Sequence, residues 1–128
     1  MIVIDASAIL EVFSRSSAGL ELEDLLIGRK IHAPYLVDIE VANGLRGLEM
    51  GGTLTAVQSA KLLATLCDLR IERHPHVPLL EEIWKYRHNL TAYDATYLAL
   101  ALWLTADLAT VDAGLRKEAR RHGVKVLP

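Results

Sequence analysis

Four carboxylates, Asp5, Glu40, Asp94 and Asp112, stand where acids could act together. Asp5 ends the apolar run Met1-Ile2-Val3-Ile4, and a run so short reads as a strand buried on both faces at the centre of a parallel sheet. Asp112 ends a second such stretch, Leu108 to Val111. Both acids therefore fall at C-terminal strand ends, where the ligands of open α/β sheets gather. Asp94 lies in the first turn of a helix opened by Thr91, and Glu40 comes early in the helix that follows the second strand. Crowded carboxylates repel unless a cation sits among them, and an all-oxygen set suits Mg²⁺ or Mn²⁺ rather than Zn²⁺. Such a site can generate hydroxide from water and neutralise a phosphoryl group during in-line displacement. Ser7, two residues after Asp5, and Thr110, two before Asp112, could orient a carboxylate or a water. Each acid also has a plainer account. Asp5 and Asp112 could cap helices, Asp94 could complete a capping box with Thr91, and Glu40 could be a solvated helix charge. Their convergence on one sheet edge favours the metal site.

The elements that would position these acids are short strands alternating with helices. After the first strand and its helix (Ile9, Leu10, Phe13), Ser16-Ser17-Ala18-Gly19 reads as a connection, and Leu20 to Ile27 as a short amphipathic helix ended by Gly28. Lys30 to Ala33 offers a second strand closed by Pro34, and Tyr35 to Met50 a helix carrying Gly44 and Gly47. Interior glycines cost up to ~1 kcal/mol each against alanine, which points to close backbone contact as compensation. Gly51-Gly52 breaks that helix, and Thr55 with Gln58 forms a capping-box signature for the next. Arg70 to Arg73 is a third strand and His74-Pro75-His76 a surface turn, with Pro78 in the first turn of a helix through Leu79 to Trp84. The helix from Thr91 to about Thr105 is apolar on nearly every face, so it is buried. A fourth strand at Leu108 to Val111, a helix from Ala113 to His122 and a fifth strand at Val124 to Val126 complete the chain. The pattern implies an α/β fold with one parallel sheet between helices, its strand C-termini on one edge.

With 128 residues the chain is the size of one domain, spanning 1–128, and needs no disulfide to hold it folded. Its only cysteine, Cys67, sits in an apolar helical pattern and reads as a packing residue, which fits a reducing cytoplasm. No basic n-region precedes Asp5, and the most apolar run, Ala95 to Ala106, is about 12 residues where a bilayer needs roughly 20. A cytoplasmic protein with no membrane partner is expected. Net charge is −2, so a nucleic acid would be held by local basic groups or by metal ions.

Taken in order, Asp5-Ala6-Ser7-Ala8, the stretch Leu36-Val37-Asp38-Ile39-Glu40 to Arg46, Leu90-Thr91-Ala92-Tyr93-Asp94-Ala95 and Thr110-Val111-Asp112 resemble the motifs of PIN-domain ribonucleases of the VapC toxin type. The resemblance covers essentially the whole chain. It implies a PIN-like three-layer sandwich with strand order 3-2-1-4-5, and Asp5, Glu40, Asp94 and Asp112 as a catalytic quartet holding Mg²⁺ or Mn²⁺. It further implies endonucleolytic cleavage of RNA, a homodimer, and neutralisation by a small VapB-like antitoxin protein. Leu115 departs from the pattern, since many relatives carry an aromatic residue there.

Arg116, Lys117, Arg120 and Arg121 could guide RNA phosphates, or could be a solvated face favoured by the dipole of the last helix. Four alternatives compete with the toxin. A receiver or other doubly wound binding domain has the right size, but a receiver needs an Asp after its third strand, where Arg70 to His74 supplies none. A phosphatase of the haloacid-dehalogenase type would place an Asp where Ser7 stands, and neither a dinucleotide fingerprint nor a phosphate-binding glycine loop is present. A PIN-domain RNA-processing nuclease outside any toxin–antitoxin pair, or a PIN fold acting mainly by binding, remains compatible with the acids.

Overall fold

In the computed structural model, which describes residues 1–128, the central strand β1 (Ile2–Ile4) is buried at every position. It is followed by α1 (Ala6–Phe13), α2 (Ser17–Leu26), β2 (Ile31–Pro34), α3 (Leu36–Met50), α4 (Ala56–Asp68) and β3 (Ile71–His74). A 3-10 turn (Val77–Leu79) then leads to α5 (Leu80–Lys85), α6 (Ala92–Leu104), β4 (Asp107–Ala109), α7 (Ala113–Arg121) and β5 (Val126–Leu127). All strands run parallel in the order β3-β2-β1-β4-β5, with Ile2 opposite both Ile31 and Asp107 and Ile4 opposite Ala109. The chain builds outward from β1 through β2 to β3 and then returns to the other side of β1 as β4. The strand order thus reverses between β1 and β4, and a crevice opens outside their C-terminal ends.

Local signals act where expected. Thr55 and Gln58 form a reciprocal capping box on α4, Thr91 caps α6, and Pro78 sits in the first turn of the 3-10 segment. Helix α6 is buried from Ala95 through Ala101, as its all-round apolar sequence requires. Helix α3 crosses α1 where Gly44 faces Leu10, and a methyl group there would run into that side chain. Gly47 faces open space, so only one of the two α3 glycines answers to close packing.

Several boundaries differ from the sequence reading. Ser16 is not loop but the N-cap of α2, its hydroxyl accepting from the Gly19 N–H, and Gly19 is needed because its Cα lies against the Glu11 backbone carbonyl of α1. Strand β3 extends through His74, paired with Pro34, where a turn was expected. β4 stops at Ala109 and β5 begins at Val126. Cys67 is exposed on α4 rather than packed. No helix is long and apolar enough to cross a membrane.

Candidate active site

At the β1–β4 switch point the chain buries a carboxylate. Asp5 is 3% exposed and caps α1, its Oδ1 accepting from the Ala8 N–H at 2.9 Å and from the Ser7 hydroxyl at 2.7 Å. Its Oδ2 accepts from the buried Thr110 hydroxyl. Both hydroxyl hydrogens are therefore spent on Asp5, and their oxygens accept in turn: Ser7 Oγ from the Val111 N–H and Thr110 Oγ1 from the Asp112 N–H, each at 3.1 Å. Ser7 and Thr110 thus pin the start of α1 to the β4–α7 connection and aim Asp5 between them. Burial raises the Asp5 pKa above the ordinary carboxylate value, the bonds from Thr110, Ser7 and Ala8 pull it back in part, and Asp112 adds to the rise.

The other acids face the same place. Asp112, exposed, caps α7 by accepting from the Leu115 N–H at 2.8 Å. Asp94 is not a cap: Thr91 accepts from the Asp94 N–H at 3.2 Å, but no reciprocal bond from the Asp94 carboxylate completes a box. Its pKa is raised by burial, then by Asp112 and Asp5. Glu40 reaches in from the second turn of α3 and is no simple solvated charge, because its Oε1 accepts from the Tyr97 hydroxyl at 2.6 Å. Burial raises the Glu40 pKa, the Tyr97 bond lowers it, and Asp94 raises it further. The four acids therefore sense one another in a chain from Glu40 to Asp94 to Asp5 and Asp112. No three of them bring oxygens within 4.8 Å of one another. An oxygen-only donor set, with the Asp94 carboxylate left without a hydrogen-bond donor, fits a hard divalent cation.

Tyr97 was not singled out from the sequence. It is 1% exposed, its own pKa lies far above the ordinary tyrosine value through burial and the nearby Glu40, and it stays a hydrogen-bond donor at any physiological pH. The available signal was its place one helical turn after Asp94, on the same face of α6.

The basic residues of α7 divide. Arg116 donates to the backbone carbonyls of Thr110 and Pro128, at 3.3 and 3.2 Å, and so ties the chain's end to the Asp5–Thr110 cluster. Arg121 pairs with the buried Glu118 at 2.9 Å. Lys117 and Arg120 make no ion pair, and with Arg116, Arg121, Val111 and Ala113 they line an open groove of about 680 Å³ beside Asp112. Leu115, where an aromatic residue was expected by resemblance, is fully buried behind Asp112.

Comparison with known proteins gives the family and the fold. Residues 2–121 match the PIN domain family. Ribonuclease VapC9 of Mycobacterium tuberculosis is 42% identical over 115 residues, covering 90% of this chain and 88% of that protein. Ribonuclease VapC1 of the same organism is 36% identical over 115 residues, covering 88% and 86%. The crystal structure of PAE2754 from Pyrobaculum aerophilum superposes with a TM-score of 0.75 at 21% identity, over 98% of this chain and 87% of that one, which shows the same fold. The chain belongs to the PIN-domain family, among its VapC-type ribonucleases.

Proposed function

We propose that this protein is a Mg²⁺- or Mn²⁺-dependent endoribonuclease toxin, held in check by a cognate VapB-like antitoxin, with Asp5, Glu40, Asp94 and Asp112 as its metal-binding catalytic acids. The observation that carries the reading is the meeting of Asp5, Glu40, Asp94 and Asp112 at one sheet edge, where burial first and neighbouring acids second raise the pKa values of Asp5, Glu40 and Asp94. When bound, the cation lowers the pKa of a water and neutralises charge on the phosphodiester. The chain's own residues prepare that event. Ser7 and Thr110 hold Asp5 in one orientation, and Tyr97 holds Glu40. Lys117 and Arg120 offer unpaired positive charge along the groove leading to Asp112, where RNA phosphates would be held. Arg116 contributes through the backbone it braces, and Arg121 less directly because Glu118 engages it. Membership of the PIN family removes the receiver and phosphatase alternatives. Likeness to the VapC ribonucleases is the ground for reading a toxin rather than a solitary processing nuclease.

Glu40 provides the test, because it caps no helix and its loss of charge can be separated from a loss of fold. Glu40→Gln keeps the side chain's shape and an oxygen for the Tyr97 hydroxyl while removing one charge from a repulsive cluster. Its melting point in EDTA is expected to equal or slightly exceed that of wild type, while Mn²⁺-dependent cleavage of a mixed RNA pool collapses. Retained cleavage would take Glu40 out of the site, and a lower melting point in EDTA would give it a structural role instead.

A further inference from the structure

We infer that His32, Glu72 and His74 form a second cation site, built for Zn²⁺ or a similar borderline transition metal, across strands β2 and β3. Parallel pairing sets His32 directly opposite Glu72, and His74 stands two residues beyond Glu72 on the same sheet face. This is the one place where three such side chains bring ligand atoms within 4.8 Å of one another. His32 Nδ1 lies 2.9 Å from His74 Nε2 and 3.5 Å from a Glu72 carboxylate oxygen. A tetrahedral zinc ion with bonds of roughly 2.0–2.2 Å separates its donors by about 3.3 Å, close to the His32–Glu72 distance, and the imidazole pair would open by a few tenths of an ångström. Glu72 is exposed and His74 half-exposed, which leaves a path for the ion and room for a water as fourth ligand. Two imidazoles and one carboxylate select Zn²⁺, Ni²⁺ or Cu²⁺, whereas the oxygen-only acids select Mg²⁺ or Mn²⁺.

His32 is 5% exposed, and the ion would be held by its neutral ring. Metal on Nδ1 puts the ring proton on Nε2, which is buried and has no hydrogen-bond partner. The Nε2 proton thus has no acceptor to fix the tautomer, which sets the site apart from a closed four-ligand zinc centre and makes binding weaker. The bound ion would join edge strand β3 to β2, a link that Arg73 continues through its two-pronged pair with Asp38 of α3, at 2.7 and 2.8 Å.

Zinc titration against a chromophoric chelator tests the site, using wild type, His74→Gln, Glu72→Gln and Asp94→Asn. Glu72 is exposed, so Glu72→Gln provides a folded variant even if His74→Gln disturbs the edge strand. Expected is one zinc equivalent in wild type that is weakened on the order of tenfold or more by each of the first two variants and kept by Asp94→Asn. Co²⁺ should give wild type the visible absorption of a tetrahedral ion and give His74→Gln none. Failure of wild type to bind Zn²⁺, unchanged affinity in either His74→Gln or Glu72→Gln, or loss of the zinc in Asp94→Asn would overturn the proposal.

Discussion

Removing the Tyr97 hydroxyl leaves every acid in place yet releases Glu40 from its donor, so Tyr97→Phe separates positioning from ligation. Partners that orient a ligand are worth about 10–100-fold in metal affinity, and a buried hydrogen bond about 1 kcal/mol in stability. The expected result is a shift of the Mn²⁺ dependence of cleavage to higher concentration, with the rate recovered at saturation. An unchanged half-saturating concentration would leave Tyr97 a packing residue. Asp94 gives a pH test. Its folded pKa is raised, so the native state holds more protons than the unfolded chain between the ordinary value, about 3.9, and the raised one. The stability it confers is full below that window and is lost as pH rises through it. His32 acts with the opposite sign, its lowered pKa costing stability as pH falls below about 6.5, but it is common to both proteins in the comparison. In EDTA, Asp94→Asn should therefore match wild type near pH 4 and melt higher at neutral pH. Saturating Mn²⁺ should reverse the order, since a hundredfold excess over the dissociation constant stabilises the binding-competent protein by ~2.7 kcal/mol. A variant that melts below wild type at neutral pH in EDTA would contradict the strained-cluster account.

At the scale of elements, the packing of α1 against α2 and α3 places the N-termini that present Asp5 and Glu40, and three glycines grade that packing. A methyl group at Gly19 meets the Glu11 backbone carbonyl, which cannot move without displacing α1. One at Gly44 meets the end of the Leu10 side chain, which can rotate, and one at Gly47 meets nothing. Overpacking costs roughly 1–3 kcal/mol, while alanine in a helix interior returns up to ~1 kcal/mol over glycine. Denaturant melts should rank Gly47→Ala above wild type, Gly44→Ala near it or below, and Gly19→Ala lowest by about 2 kcal/mol or more. Equal stability of the Gly19 and Gly47 variants would show that α1 and α2 can slide apart at little cost.

For the molecule as a whole, the surface of α3 and α4 remains incompletely covered. Ile39, Met50, Val57 and Leu63 are exposed to between 44% and 71%. A two-fold dimer burying this face is the expected state, because an isologous contact lets one apolar patch cover its own copy. Sedimentation at micromolar concentration should give a species near twice 14.1 kDa, and replacing Val57 by Lys should shift it towards the monomer. A 14.1 kDa species alone would remove the dimer.

How much of this was legible before folding depends on the range of the interaction. The short apolar run before Asp5, the capping box of Thr55 and Gln58, and the all-round apolar helix after Thr91 are local patterns, so the strand, the cap and the buried helix followed from the residues themselves. The rule that parallel strands share one C-terminal edge placed Asp5 and Asp112 on the same side, and the helices that begin at that edge and run back from it put Glu40 and Asp94 there. The tertiary structure alone decided what depends on register and close approach. That Tyr97 meets Glu40, that His32 faces Glu72 and His74, and that Gly19 rather than Gly47 is sterically required are contacts between distant segments. No periodicity encodes them, because each is set by where two elements, individually well specified, come to rest against each other.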